Sequence, residues 1–136
     1  GSSCIMNEVF KLEIISPEKI IFSDNVNMVT LPSYEGDMSV LKNHISIITF
    51  LRPGIVKVQK DTQNFNEFFI QDGTVEYFDN NLVILSASVV DVKNLSKQFI
   101  DNLIQEANDQ LLGKDINDHE RYVLNTKLNV LKEVRL

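Results

Sequence analysis

Few residues in this 136-residue chain are of types that do chemistry. The two histidines, His44 and His119, and the one cysteine, Cys4, stand too far apart for the ligand spacing of a structural zinc site. His119 reads as a solvated residue in the first turn of a helix, between Asp118 and Glu120. Asp115, Asp118 and Glu120 form an acidic group, but a helix N-terminus favours acids through its dipole, so capping accounts for them. The internal glycines, Gly36, Gly54, Gly73 and Gly113, are isolated, which leaves no phosphate-cradling or dinucleotide pattern. No Gly-x-Ser-x-Gly elbow occurs either, and no nucleophile–base pair is legible. Phe68, Phe69, Tyr77 and Phe78 read as core aromatics of adjacent strands rather than a base-stacking platform. What remains is suited to contact. Tyr34-Glu35-Gly36-Asp37 is a polar loop with an acidic tip, fit for the rim of an interface. His44 lies in a loop between strands, either satisfied locally or exposed as a contact residue. At about 100° per residue, Arg121, Lys132 and Arg135 fall along one edge of a helix, a solvated edge or one that meets acidic groups.

The elements that hold these residues divide into two periods. Phe10, Leu12 and Ile14 alternate with Lys11 and Glu13, as in a half-buried strand. Further short apolar runs occupy 19–22, 26–31 (stopped by Pro32), 39–41, 45–51, 55–59, 67–71, 74–78 and 82–85. Turn signals separate them: Ser16-Pro17-Glu18, residues 33–37, Arg52-Pro53-Gly54, 60–64, Asp72-Gly73 and Asp79-Asn80-Asn81. Strands this short at this spacing predict an antiparallel β-sandwich or barrel over residues 6–90. After Asp91 the period changes. Leu95, Phe99, Leu103, Ala107 and Leu111 step by four, with Asn94 placed to cap the helix and Gly113 to end it in the left-handed conformation. Asn117-Asp118-His119-Glu120 reads as a capping box for a second helix, whose face carries Leu124, Leu128 and Leu131. The short link between them predicts an antiparallel helical hairpin over residues 91–136. The fold class is therefore α+β: sandwich first, hairpin second.

Composition narrows the function. With 43% apolar and 24% charged residues the chain has the make-up of a globular domain. Its net charge of −6 argues against nucleic acid as a partner. No apolar run approaches the ~20 residues that span a bilayer, so direct membrane insertion is not expected. A lone cysteine cannot form an intramolecular disulfide, which fits a reducing compartment. No secretory signal is expected from the residues ahead of the strands, and Gly1-Ser2-Ser3-Cys4-Ile5 ahead of Met6 reads as a remnant of cloning. Residues alone point to a binding or coupling module rather than an enzyme; a stand-alone sandwich that binds a small ligand is the alternative.

The order of the pieces resembles a known family, the epsilon subunits of bacterial F-type ATP synthases, whose mitochondrial counterpart is called delta. The resemblance runs from Val9 to Leu136. It is carried by Leu12-Glu13-Ile14-Ile15-Ser16-Pro17-Glu18 with Phe22-Ser23, by Leu31-Pro32 before Gly36-Asp37, and by Val40-Leu41 with His44 and Thr49. Pro53-Gly54-Ile55-Val56, Glu67-Phe68-Phe69-Ile70 before Gly73, and Val83-Ile84-Leu85 complete it. Where the family usually reads Gly-Val-Leu-Pro-Gly-His-x-Pro, this chain has Ser39 to Ser46, with Asn43 expected to take the positive φ of the glycine. The resemblance implies a non-catalytic rotor component of the central stalk, without a cofactor, peripheral on the cytoplasmic face of the bacterial inner membrane. It implies that Asp37 and Gly36 meet the ring of c subunits and that Ser16, His44 and Thr49 lie near the gamma subunit. The hairpin would open and set the basic edge of Arg121, Lys132 and Arg135 against the catalytic alpha and beta subunits, restraining hydrolysis. Some members bind ATP through an Asp and an Arg at the start of the first helix. Those positions here are Ser96 and Phe99, and the second-helix arginines fall near Thr126 and Val130, so no nucleotide binding is expected.

Overall fold

A computed structural model describes residues 8–135, with side chains through 134; the cloning remnant expected at 1–5 lies outside the described residues. Ten strands come first: β1 (Phe10–Ile15), β2 (Ile20–Val26), β3 (Met28–Ser33), β4 (Gly36–Val40), β5 (Ile47–Leu51), β6 (Gly54–Gln59), β7 (Phe65–Ile70), β8 (Gly73–Phe78), β9 (Asn81–Leu85) and β10 (Val89–Asp91). A single 3-10 turn, Val92–Asn94, leads to helix α1 (Lys97–Leu111), and α2 (Asp118–Arg135) follows. The expected sandwich followed by a helical hairpin is what the chain forms.

The strands join in the order β10-β7-β6-β3-β5-β8-β9-β1-β2, with β4 on the free side of β3. One pair, Ser33 with Leu51, is all that links β3 to β5, and there the sheet folds into two layers. Phe22 of β2 meets Phe68 of β7 edge-on at 5.6 Å, closing the far ends against each other. Pairing is antiparallel except between β1 and β9, which run parallel, Leu12 beside Leu82 and Ile14 beside Ile84. Alternation in each strand sends one set of side chains inward. Phe10, Leu12, Ile14, Val29, Leu31, Val75, Tyr77, Leu82 and Ile84 are among those buried in the core between the layers.

Phe69 faces the other way. It leaves the sandwich core and packs with Ile100 and Leu103 of α1 and Leu131 of α2, flanked by Ile55, Ile104 and Val130. The hairpin thus covers the outer face of β6 and β7.

Four expectations need correction. Pro32 does not stop β3: the strand runs to Ser33, and the Pro32 carbonyl accepts the Arg52 N–H at 2.9 Å. Asn94 does not cap α1; it ends the 3-10 turn, and Ser96 is the cap, its Oγ accepting the Phe99 N–H at 3.0 Å. Gly113 is not left-handed; a Cβ there would stand 3.1 Å from the Gln110 carbonyl oxygen. Phe78 is not core, because the alternation that buries Val75 and Tyr77 turns Glu76 and Phe78 outward.

Candidate functional site: contact surfaces

The β3–β4 turn is braced from inside. Ser33 is buried and donates its Oγ–H to the Gly36 carbonyl at 2.6 Å, while the Glu35 N–H points back to the same Oγ at 3.3 Å. Gly36 takes φ +119 with nothing within 4 Å of an added Cβ, so backbone conformation and not space requires glycine there. Arg52 clamps both ends. Its Nε donates to the Ser33 carbonyl at 3.0 Å and its Nη2 to Asp37 Oδ1 at 2.8 Å. The Asp37 side chain stays 69% exposed, an acidic tip on a stiff support.

The loop carrying His44 is held by a second network. Asn43 adopts φ +66 as expected of a glycine substitute. Its N–H donates to Asn80 Oδ1 at 2.7 Å, and Asn80 Nδ2 returns a bond to Asn43 Oδ1 at 3.3 Å. Tyr77 shares its hydroxyl proton between Asn80 Oδ1, at 2.8 Å, and the Leu41 carbonyl, at 3.2 Å. Burial pushes that phenol above its usual value. The half-buried His44 ring rests edge-on against Tyr77 at 5.9 Å, with Nδ1 2.8 Å from the Ile45 carbonyl oxygen. Ser16 closes the β1–β2 turn by donating to the Lys19 carbonyl at 3.1 Å, and Thr49 sits half-buried opposite Val75.

Residues missed by sequence reasoning connect these points. On the outer face of the second layer, Phe50, Thr74, Leu85 and Ile15 form one cross-strand row, and Ile48, Glu76, Val83 and Glu13 form the next. Ile48 is 81% exposed, Phe50 66% and Leu85 50%. A groove of about 1010 Å³ continues the first row past Ser16 toward Tyr34 and His119. The signal was present: Ile47-Ile48-Thr49-Phe50-Leu51 is apolar on both faces, the pattern of a strand covered twice.

The hairpin presents the remaining residues. Arg121 and Lys132 are exposed on α2; Arg135 ends the same helix, its side chain outside the described residues. Ser96 is occupied as a helix cap, Thr126 Oγ1 bonds the Tyr122 carbonyl at 2.8 Å, and Val130 packs beside Phe69. Asn117 Oδ1 accepts the Glu120 N–H at 2.8 Å, the forward half of the expected capping box. His119 is exposed yet engaged: Tyr34 lies over it at 6.0 Å between ring centroids and over Tyr122 at 6.3 Å. Burial pushes the Tyr34 phenol up, and Tyr122 and Asp72 beside it add to the effect. No helix among the described residues is long and apolar enough to cross a membrane.

Comparison with known proteins agrees with this architecture. Residues 9–92 match the family described as ATP synthase, Delta/Epsilon chain, beta-sandwich domain. The ATP synthase epsilon chain of Pelagibacter ubique is 41% identical over 93% of this chain and 98% of its own. That of Parvibaculum lavamentivorans is 32% identical over 96% of this chain and 98% of its own. The fold recurs in a chain of the Euglena gracilis mitochondrial ATP synthase, solved as OSCP/F1/c-ring (TM-score 0.72, 19% identity, 92% of this chain and 78% of that one). It recurs again in the Tetrahymena thermophila mitochondrial ATP synthase, central stalk and c-ring (TM-score 0.64, 14% identity, 93% of this chain and 96% of that one). With a sandwich matched across its length and relatives alike from end to end, the chain belongs to the ATP synthase epsilon-chain family.

Proposed function

We propose that this chain is a non-catalytic rotor component of an F-type ATP synthase, joining the gamma subunit to the ring of c subunits at the foot of the central stalk. It would lie peripherally on the cytoplasmic face of the inner membrane, held there by protein contacts. The observation that carries the reading is the exposed apolar face of Ile48, Phe50 and Leu85, continuous with Ser16. An exposed apolar patch of this kind marks a surface for a partner. Gamma occupies that face, with Ser16 beside it, His44 in the loop that precedes β5 and Thr49 on the inward side of the same strand, while Asp37 and Gly36 meet the polar loops of the ring. Co-expression with gamma tests this directly. The double variant Ile48→Asp, Phe50→Asp is expected to lose gamma with an unchanged unfolding midpoint; recovery at wild-type stoichiometry overturns the assignment.

The hairpin supplies regulation in this reading. Opened along gamma, α2 sets Arg121, Lys132 and Arg135 against acidic loops of the catalytic subunits. Reversing the three to Glu is expected to raise hydrolysis by the assembled enzyme, and removing all residues after Asp91 to raise it further. Nucleotide has no part in the switch. Ser96 and Phe99 offer no guanidinium fork to phosphate, so calorimetry with millimolar Mg-ATP is expected to give no isotherm.

A further inference from the structure

The turn that carries the acidic tip also touches the hairpin. Tyr34 lies two residues from Gly36 and three from Asp37, and its ring packs on His119 and Tyr122 in the first turns of α2. Beyond the tip, a second groove of about 390 Å³ is lined by Asp37 and Arg52 on one side and by Val130, Glu133 and Val134 of α2 on the other. One stiff turn therefore touches α2 near its start and borders a groove shared with residues near its end. Stiffness matters here, because Arg52 bonds Ser33 and Asp37 together and Ser33 bonds Gly36 across the turn. The backbone from Ser33 to Asp37, which carries Tyr34, cannot shift without breaking that brace.

We infer that Tyr34 is an aromatic clasp holding the hairpin closed, and that contact of a partner with the Asp37 tip releases it. Aromatic pairs at these centroid distances are worth roughly two- to tenfold each in an equilibrium. An occupant of the tip reaches the groove whose lining Asp37 shares with Glu133 and Val134 of α2, so the partner and the end of the helix compete for it. Linkage then requires the closed hairpin to weaken the tip contact by the same factor by which tip contact opens the hairpin. Opening of the hairpin and the identity of the tip partner as the polar loops of the ring rest on the function proposed above; the packing of Tyr34 on α2 does not.

Spin labels at Thr62→Cys and Gln105→Cys, in a Cys4→Ser background, report the closed and open populations of the full chain by pulsed dipolar distance measurement. Tyr34→Ala is expected to raise the open population by about tenfold, and Tyr34→Phe, which keeps the ring, to leave it near wild type. His119→Ala with Tyr122→Ala should match Tyr34→Ala, and adding Tyr34→Ala to that pair should change nothing more. Tyr34 is a surface residue, so none of these variants threatens the sandwich. A Tyr34→Ala distribution that superimposes on wild type overturns the clasp. Purified c-ring in detergent is then expected to open the wild-type hairpin several-fold and to leave Tyr34→Ala unmoved. Ring binding without a population shift overturns the coupling. No ring binding at all overturns the ring assignment, while the clasp stands on the first measurement.

Discussion

The sandwich and the hairpin are buried in different ways. Inside the sandwich, strands from both layers send fully buried side chains into one space, and the contacts close on themselves. The hairpin's apolar seam is thinner, and its cluster is completed by Phe69, a residue the sandwich lends from its outer face. The first region has a core and the second has an address. A unit whose burial depends on one neighbour can exchange that neighbour for another at small net cost, whereas a self-contained core cannot.

Cavity-forming substitutions divide the two regions most sharply. Leu12→Ala should cost about 2–5 kcal/mol and lower the denaturant midpoint of the sandwich. Leu131→Ala removes a comparable buried side chain, yet its effect should appear as faster hydrogen exchange in α2 with the sandwich midpoint held. If Leu131→Ala lowers that midpoint as far as Leu12→Ala does, the regions are one cooperative unit and the contrast is lost.

A pair of glycines sharpens the same contrast at smaller scale. A Cβ at Gly54, in buried β6, would stand 2.6 Å from Pro32 Cβ, so Gly54→Ala should cost about 1–3 kcal/mol. Gly113→Ala, at the exposed bend of the hairpin, should alter stability by less than about 1 kcal/mol. Chemical denaturation of the two variants side by side measures the difference. Ser96→Ala comes next: losing the cap of α1 should cost about 1 kcal/mol, read as a lower helical melting point, and Ser96→Asp should restore it.

The smallest effect is one of sign. Buried Tyr77 has its phenol raised above the ordinary 10.0, so sandwich stability is complete below that pH and falls as pH climbs through the folded value. Lys127 of α2 is lowered from 10.5 by burial, opposed by Glu106 and Asp72. The unfolded or undocked lysine binds the proton better, so docking strengthens as pH rises through the lowered value toward 10.5. Alkaline titration should therefore tighten the hairpin before it loosens the sandwich, and Lys127→Met should abolish the tightening alone.

Much of this was legible along the chain because period two and period four are local. The alternation of Phe10, Leu12 and Ile14 and the step of Leu103 to Ala107 follow from a few adjacent residues, and the positive φ at Asn43 follows from the glycine it replaces in the family pattern. The tip at Asp37 was legible as a polar loop, though its clamp by Arg52, fifteen residues on, was not. Capping by Ser96 in place of Asn94 turned on where β10 and the 3-10 turn end, which pairing with β7 decides. His119 reads as solvent-facing on its own helix, and only the fold brings Tyr34 over it. The outward row of Phe50, Leu85 and Ile15 is assembled from three strands distant in sequence.

The parallel pair of β1 with β9 sets an order of events. The β1–β2 hairpin is the first part of the described chain to leave the ribosome, yet its inner neighbour, β9, begins at Asn81, after six other strands. Until then Leu12 and Ile14 have no strand beside them on that edge. Long-range parallel pairing closes a large loop and is intrinsically slow, so joining β1 to β9 is the late step of folding. A φ-value near zero at Leu12, against higher values in β6 and β7, would register that order, and the open apolar edge in between is where a nascent chain would need a chaperone.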